Sequence, residues 1–317
     1  MNTTAIVLEQ PEHLMLSCLD LTPPADDDVV VDIEYSGIST GTEKLLWNGR
    51  MPTFPGMGYP LVPGYESVGR IVEAGPRATH RVGERVFVPG ARCYGEVRGL
   101  FGGAASRVVV SDARVTPVSD TLGNSSVLAA LAATAYHAVS GAGKRNPIIA
   151  PELIVGHGVL GRLLARMVVA AGFAPPTVWE TNPVRTAGAE GYPVIKPEED
   201  SRRDYHAIYD VSGDARILDS LVARLAPGGE IVLAGFYTEP LNFAFAPAFM
   251  REAQIRCAAE FKKPDLLAVK ELAESGVLSL DGLITHHAEP MQAGAAYRTA
   301  FDDPGCLKMV LDWRHCQ

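Results

Sequence analysis

Paired cysteines are missing from this chain of 317 residues: Cys18, Cys93, Cys257, Cys306 and Cys316 are scattered, and no Cys-x-x-Cys occurs. That spacing supports neither a disulfide framework nor a four-thiolate zinc lobe, so five ordinary reduced thiols are expected. Basic charge is short as well. The 28 Lys and Arg stand against 37 Asp and Glu, a net charge of −9, which argues against a nucleic-acid partner because phosphate contacts need a basic surface. No apolar run reaches the ~18 residues of a membrane span, so no integral membrane segment is expected. The opening Thr3-Thr4-Ala5-Ile6-Val7-Leu8-Glu9 is too short and acid-ended for a signal peptide, and a cytoplasmic location is expected. Repeats and low-complexity tracts are also lacking, and the length leaves room for two domains with full cores.

Glycine, by contrast, is placed with purpose. Leu153-Ile154-Val155 runs as an apolar strand into Gly156, His157, Gly158, Val159, Leu160 and Gly161, with the spacing Gly-x-Gly-x-x-Gly. Helical period follows, with Leu160, Leu163, Leu164, Met167 and Val168 on one face, and then a second apolar run, Thr177-Val178-Trp179, ends in Glu180. This is the order of a dinucleotide half-site. The first glycine permits the tight turn, the second lets the backbone approach a pyrophosphate, and the third packs helix on strand, with the helix N-terminus facing the phosphates. Glu180, about 20 residues further on, is placed to accept hydrogen bonds from ribose hydroxyls and would repel a 2′-phosphate, which favours NAD over NADP. Ala207 to Val211 and Glu230 to Gly235 read as further buried strands, so a parallel sheet is expected. Ligands of such sheets lie beyond the carboxyl ends of the strands, which puts Asp210, Ser212, Gly213, Gly235, Phe236 and Tyr237 either near the cofactor or in ordinary turn chemistry.

The first 120 residues have a different texture. Val29 to Tyr35, Ser67 to Glu73 and Arg85 to Val88 are short strands between Gly and Pro turns, the pattern of an irregular β-rich domain. A helical stretch from about Ser126 to Val139 leads into the dinucleotide half. After Phe261 come a helix (Asp265 to Ser275), the run Leu283-Ile284-Thr285, a second helix and a last strand, Lys308 to Leu311. That tail is expected to return to the first domain, giving residues 1–120 with 262–317 as one domain and 121–261 as the other.

In this order of parts, with Gly64-Tyr65-Glu66 inside the β-rich half, the chain resembles the medium-chain dehydrogenase/reductase superfamily over nearly its whole length. Ser36-Gly37-Ile38-Ser39-Thr40-Gly41-Thr42-Glu43, together with Phe54 to Glu66, is similar to the branch that acts on the 3-hydroxyethyl group of bacteriochlorophyllide a. The resemblance implies an α/β fold, a Rossmann doubly wound parallel sheet plus a discontinuous GroES-like catalytic domain. It further implies that a secondary alcohol on a tetrapyrrole carrying its own magnesium is oxidised to a 3-acetyl group by hydride transfer to NAD, and that a homodimer is a reasonable default. Two rivals stay open. One is a zinc-free quinone or enoyl reductase using NAD(P)H; the other is a pigment carrier without catalysis.

Zinc alcohol dehydrogenases hold their metal with Cys, His and a further Cys or acid. The resemblance sets Ser39, Tyr65 and Ala130 at those three places, so no metal is expected here, and Pro89 to Gly103 has only Cys93 where a structural zinc loop would fall. Another group must then take the hydroxyl proton. Tyr65 is either that group, with a phenol pKa lowered by a nearby cation or by the nicotinamide charge, or an apolar wall for a flat macrocycle. Ser39, Thr40 and Thr42 either pass a proton or satisfy backbone groups. Glu66 either takes part or holds an arginine or a turn in place. Glu43 and Lys44 read as a relay or a solvated pair, and His137 as a core histidine or a base. Trp47, Arg50, Phe54, Met57 and Tyr59 lie in a loop rich in aromatics and methionine, which either lines a broad apolar substrate pocket, with Arg50 at its edge for a propionate, or fills the domain's own core.

Overall fold

A computed structural model describes residues 1–141 and 148–316. Two compact units emerge: Met1–Ala130 with Asp281–Gln317, and Leu131–Leu280. The crossings fall at Ala130 and Leu280, later than the limits of 120 and 261 read from the sequence. The second shift arises because the helix Lys263–Glu274 buries Leu266 and Val269 within the dinucleotide unit.

The first unit is organised around the strand Asp28–Ile38. Its run of Val29, Val30, Val31 and Ile33 is wholly buried, as β-branched residues at the centre of a sheet should be. It pairs antiparallel with Ser67–Ala74, with Arg107–Ser111 and with Met309–Asp312. Asp32, inside this strand, is neutralised by both arms of the Arg107 guanidinium. The returning tail therefore enters the sheet of the opening residues, Met309 opposite Ile38, and Trp313 is buried with its indole N–H donating to Ser36 Oγ at 2.8 Å. Leu283 to Thr285 is not a strand. Leu283 is buried just after the turn at 281–282, and parallel pairing begins only after Thr285, over His286–Ala288. A second sheet joins His13–Asp20, Asn2–Gln10, Leu61–Val62 and Arg98–Gly99.

The second unit holds six parallel strands in the spatial order Val194–Ile195, Thr177–Trp179, Leu153–Val155, Tyr205–Asp210, Leu225–Leu233, Gln254–Cys257. Numbered along the unit this is 3-2-1-4-5-6, the doubly wound arrangement in which strand order reverses beside the first strand. Leu153–Val155 is that strand, and the glycine-rich turn leaves its carboxyl end. Among the described residues no helix is long and apolar enough to cross a membrane.

Candidate active site

In the first unit, the turn after the strand Asp28–Ile38 and the turn before Ser67–Ala74 bring Ser39 and Tyr65 together: their hydroxyls lie 2.7 Å apart. Thr42, at the start of the next helix, is a further side-chain neighbour of the Tyr65 phenol. Thr40, next along the chain from Ser39, is exposed. Burial, and then the adjacent Glu66 carboxylate, hold the Tyr65 pKa well above that of an ordinary phenol. This corrects the expectation of a value lowered by a nearby cation of the protein: the nearest charges are carboxylates.

Glu66 is wholly buried, and Oε2 accepts from Lys308 Nζ at 2.7 Å; the same ammonium donates to the Ile38 carbonyl at 3.1 Å. Oε1 has no hydrogen-bond partner among the described residues. Glu66 thus holds a lysine from the returning tail, and the backbone leaves room for it only because residue 37 is glycine. A Cβ on Gly37 would lie 2.5 Å from Glu66 Oε2.

Glu43 and Lys44 are not a solvated pair. Glu43 lies on the short helix Thr42–Trp47 with its side chain on the buried face beside Leu46, three residues on, as helical period requires. Oε1 accepts the Ser39 backbone N–H at 3.0 Å, and Oε2 accepts from the Tyr297 hydroxyl at 2.8 Å. Burial raises its pKa to about 7. Lys44 instead donates to the Phe301 carbonyl at 2.6 Å. Glu43, Tyr297 and Lys308 are the members of this cluster whose place the sequence reading missed. For Glu43 the signal was present, since a helix starting at Thr42 puts it on the same face as Leu46. Lys308, at the mouth of an apolar strand, gave none.

The aromatic loop is not gathered into one wall. Trp47 packs on Tyr297 and Phe301, with ring centroids 6.2 and 6.1 Å away. Met57 and Tyr59 pack against the cluster of Leu8, Leu46, Met51, Leu61 and Leu100, and the Tyr59 hydroxyl donates to the Leu46 carbonyl. Arg50 and Phe54 are exposed. The loop's first residues are helical, and its apolar side chains mostly complete the unit's own core.

In the second unit the turn has the geometry a dinucleotide needs. Gly156 has φ +104°, and a Cβ on Gly161 would overlap the Gly156 carbonyl oxygen. A Cβ on Gly158 would enter open space at the start of the helix Val159–Ala170, whose leading N–H groups lack partners within the helix. Val159 is buried and Leu160 half-buried on that first turn. Glu180 ends its strand with Oε2 accepting the His157 N–H at 3.0 Å and Oε1 the Asn182 N–H at 2.7 Å. A carboxylate has about four lone-pair sites, so two remain for ribose hydroxyls.

Other expected contacts turn inward. The His157 imidazole is buried, bonded to the Arg185 carbonyl at 2.6 Å and the Tyr192 hydroxyl at 2.9 Å. Burial, with the neighbouring Arg162 charge, lowers its pKa to about 4. Asp210 is wholly buried and accepts from Tyr237 at 2.6 Å and from the Ser212 N–H at 2.9 Å. Ser212, Gly213 and Phe236 are exposed, with Gly235 half-buried beside Gly213. His137 pairs with the buried Asp265 at 2.7 Å, as a satisfied core histidine does.

Comparison with known proteins fits these parts. Residues 25–120 match the alcohol dehydrogenase GroES-like domain. The chain is 57% identical over 315 residues to the 2-desacetyl-2-hydroxyethyl bacteriochlorophyllide A dehydrogenase of Rhodobacter capsulatus, covering 99% of both chains. It is 56% identical to the protein of that name from Cereibacter sphaeroides, again over 99% of each. Among solved structures, an Escherichia coli alcohol dehydrogenase complexed with NADH has a TM-score of 0.82 at 21% identity, covering 98% of this chain and 99% of that one. A Sinorhizobium meliloti dehydrogenase bound to NADP has a TM-score of 0.79 at 19% identity, with the same coverage. The chain belongs to the 2-desacetyl-2-hydroxyethyl bacteriochlorophyllide A dehydrogenase family, a branch of the medium-chain dehydrogenase/reductase superfamily.

Proposed function

We propose that this chain oxidises the 3-(1-hydroxyethyl) group of bacteriochlorophyllide a, or of a related chlorin, to the 3-acetyl group, with NAD as hydride acceptor and without a catalytic zinc. Full-length identity to the two purple-bacterial dehydrogenases supports the substrate class. The observation that carries the zinc-free reading is the hydrogen bond between Ser39 and Tyr65. Two neutral hydroxyls face each other at positions where the superfamily's zinc enzymes have ligands, and the third position is Ala130. Zinc needs thiolate, imidazole or carboxylate donors, so this set does not suit it. Among the described residues no group of three His, Cys, Asp or Glu is gathered to replace it.

Gly156, Gly158, Gly161 and Glu180 would hold the dinucleotide, which when bound supplies the hydride acceptor. The proton is left to the chain. A phenol held above its ordinary pKa does not act as a standing base, so Tyr65 is proposed to work as a relay. It accepts the substrate hydroxyl's proton while giving its own to Ser39 or Thr42, and the proton leaves to water. Each hydroxyl gains one proton and loses one. Lys308 compensates the Glu66 charge next to Tyr65, and Glu43 fixes the Ser39 backbone.

The test is turnover of 3-(1-hydroxyethyl)bacteriochlorophyllide a by chelator-treated protein with NAD+, following NADH and the pigment spectrum together. Coupled formation of NADH and acetyl pigment is the expected result. A rate that appears only after zinc is restored would overturn the metal-free reading.

A further inference from the structure

The glycine-rich turn is tied to the segment 185–192 by a cluster that the proton relay does not use. Arg162, on the helix after the turn, is only 4% exposed. Its guanidinium is bonded to carbonyls: Nε to His157 O at 3.1 Å, Nη1 to Gly188 O at 3.1 Å, and Nη2 to Arg185 O at 3.1 Å and Ala187 O at 2.7 Å. A rigid planar fork can meet several fixed acceptors in this way, whereas an ammonium cannot. Gly188, at φ +82°, is part of the fit, since a Cβ there would collide with Arg162 Nη1. His157 adds a second tie. The Arg185 carbonyl only accepts, so we assign the proton to Nδ1, and Nε2 accepts from the Tyr192 hydroxyl. The backbone N–H of the same His157 anchors Glu180.

We propose that Arg162, His157 and Tyr192 form a latch that presets Glu180 for an unphosphorylated adenosine ribose, and are therefore positioning residues for dinucleotide selection. The latch holds the segment carrying Arg185 by its carbonyls, so that the loop after Glu180 stays in the form that leaves the carboxylate facing the ligand. The inference rests on the reading that Glu180 selects NAD over NADP.

The experiment is isothermal titration of the full-length chain with NAD+ and with NADP+, without pigment, for wild type, Glu180→Gln, Arg162→Lys, Gly188→Ala and Tyr192→Phe. Wild type is expected to prefer NAD+ and Glu180→Gln to lose the preference. Arg162→Lys and Gly188→Ala are expected to cut the ratio of the two affinities by about tenfold, and Tyr192→Phe by less. A cluster that served only folding would weaken both dinucleotides equally. An unchanged ratio in Arg162→Lys and Gly188→Ala, with the preference still abolished by Glu180→Gln, would overturn the latch and leave the NAD reading standing. A wild type that does not prefer NAD+, or a Glu180→Gln variant that keeps the preference, would overturn the reading and the latch with it. If Arg162→Lys does not fold, Tyr192→Phe decides the matter, since it deletes a single hydroxyl.

Discussion

The Tyr65 hydroxyl is half of a 2.7 Å bond to Ser39, and the two neighbours divide its roles cleanly enough to test. Tyr65→Phe keeps the ring and its edge contact with Phe101, so pigment binding should persist while the relay is cut. The expected result is a fall in kcat of about a hundredfold, the usual worth of a positioned acid–base group, with little change in KM. An unchanged kcat, with KM unchanged as well because the ring remains, would instead mark Tyr65 as a wall. Glu43 makes a separate prediction for stability. Its folded pKa of about 7 lies above the ordinary 4.5, so the native state holds the proton more tightly than the unfolded chain. The stability it contributes is full below pH 4.5 and is lost as pH rises through about 7. Glu43→Gln can still accept from the Ser39 N–H and can donate to the Tyr297 oxygen. Thermal melts should therefore show wild type losing Tm between pH 5 and pH 8 more steeply than the variant, and parallel curves would show that Glu43 does not titrate in this window.

Between elements, the decisive join is that of the tail strand with the opening sheet. Met309–Asp312 adds backbone bonds to Asp28–Ile38, and just ahead of it Lys308 brings a cation to the buried Glu66. Breaking such a pair on one side strands a charge, at a cost of about 3–5 kcal/mol, whereas replacing both partners by apolar groups is often close to neutral. Lys308→Met should accordingly lower stability strongly in urea melts, and Lys308→Met with Glu66→Leu should recover most of it; no recovery would mean that the pair does not act as a unit. The strands themselves were legible from their Val and Ile runs and Gly–Pro punctuation, because local pattern and burial agree there. The ion pair was not, because residues 66 and 308 are far apart in sequence and neither carries a periodic signal. Glu43 lies between these cases: its buried face follows once the helix start is known, but the loop-like Gly41 and the following polar residues conceal that start. Likewise the Gly-x-Gly-x-x-Gly spacing announced the turn, while the inward direction of His157 depends on Tyr192 and the Arg185 carbonyl, which only the folded segment brings together.

For the whole molecule, the two units differ in how the chain builds them. Leu131–Leu280 is continuous and contains all six strands in their 3-2-1-4-5-6 order together with the glycine-rich turn and Glu180. Met1–Ala130 needs Asp281–Gln317, which supplies two strands, the helix Ala293–Asp302 and the buried Trp313. Removing the tail takes from the first unit a central sheet partner and a cation, while the second loses no strand of its sheet. A chain ending at Leu280 should therefore bind NAD+ by calorimetry with affinity near that of the full chain, yet be cut rapidly by protease within residues 1–130 and show no turnover. Each unit would then be a folding unit in its own right, since domains carry their own cores. Protease resistance across residues 1–130 in the shortened chain, or loss of NAD+ binding with an intact parallel sheet, would instead show that the tail's contribution to each unit is not the one its strand pairing implies.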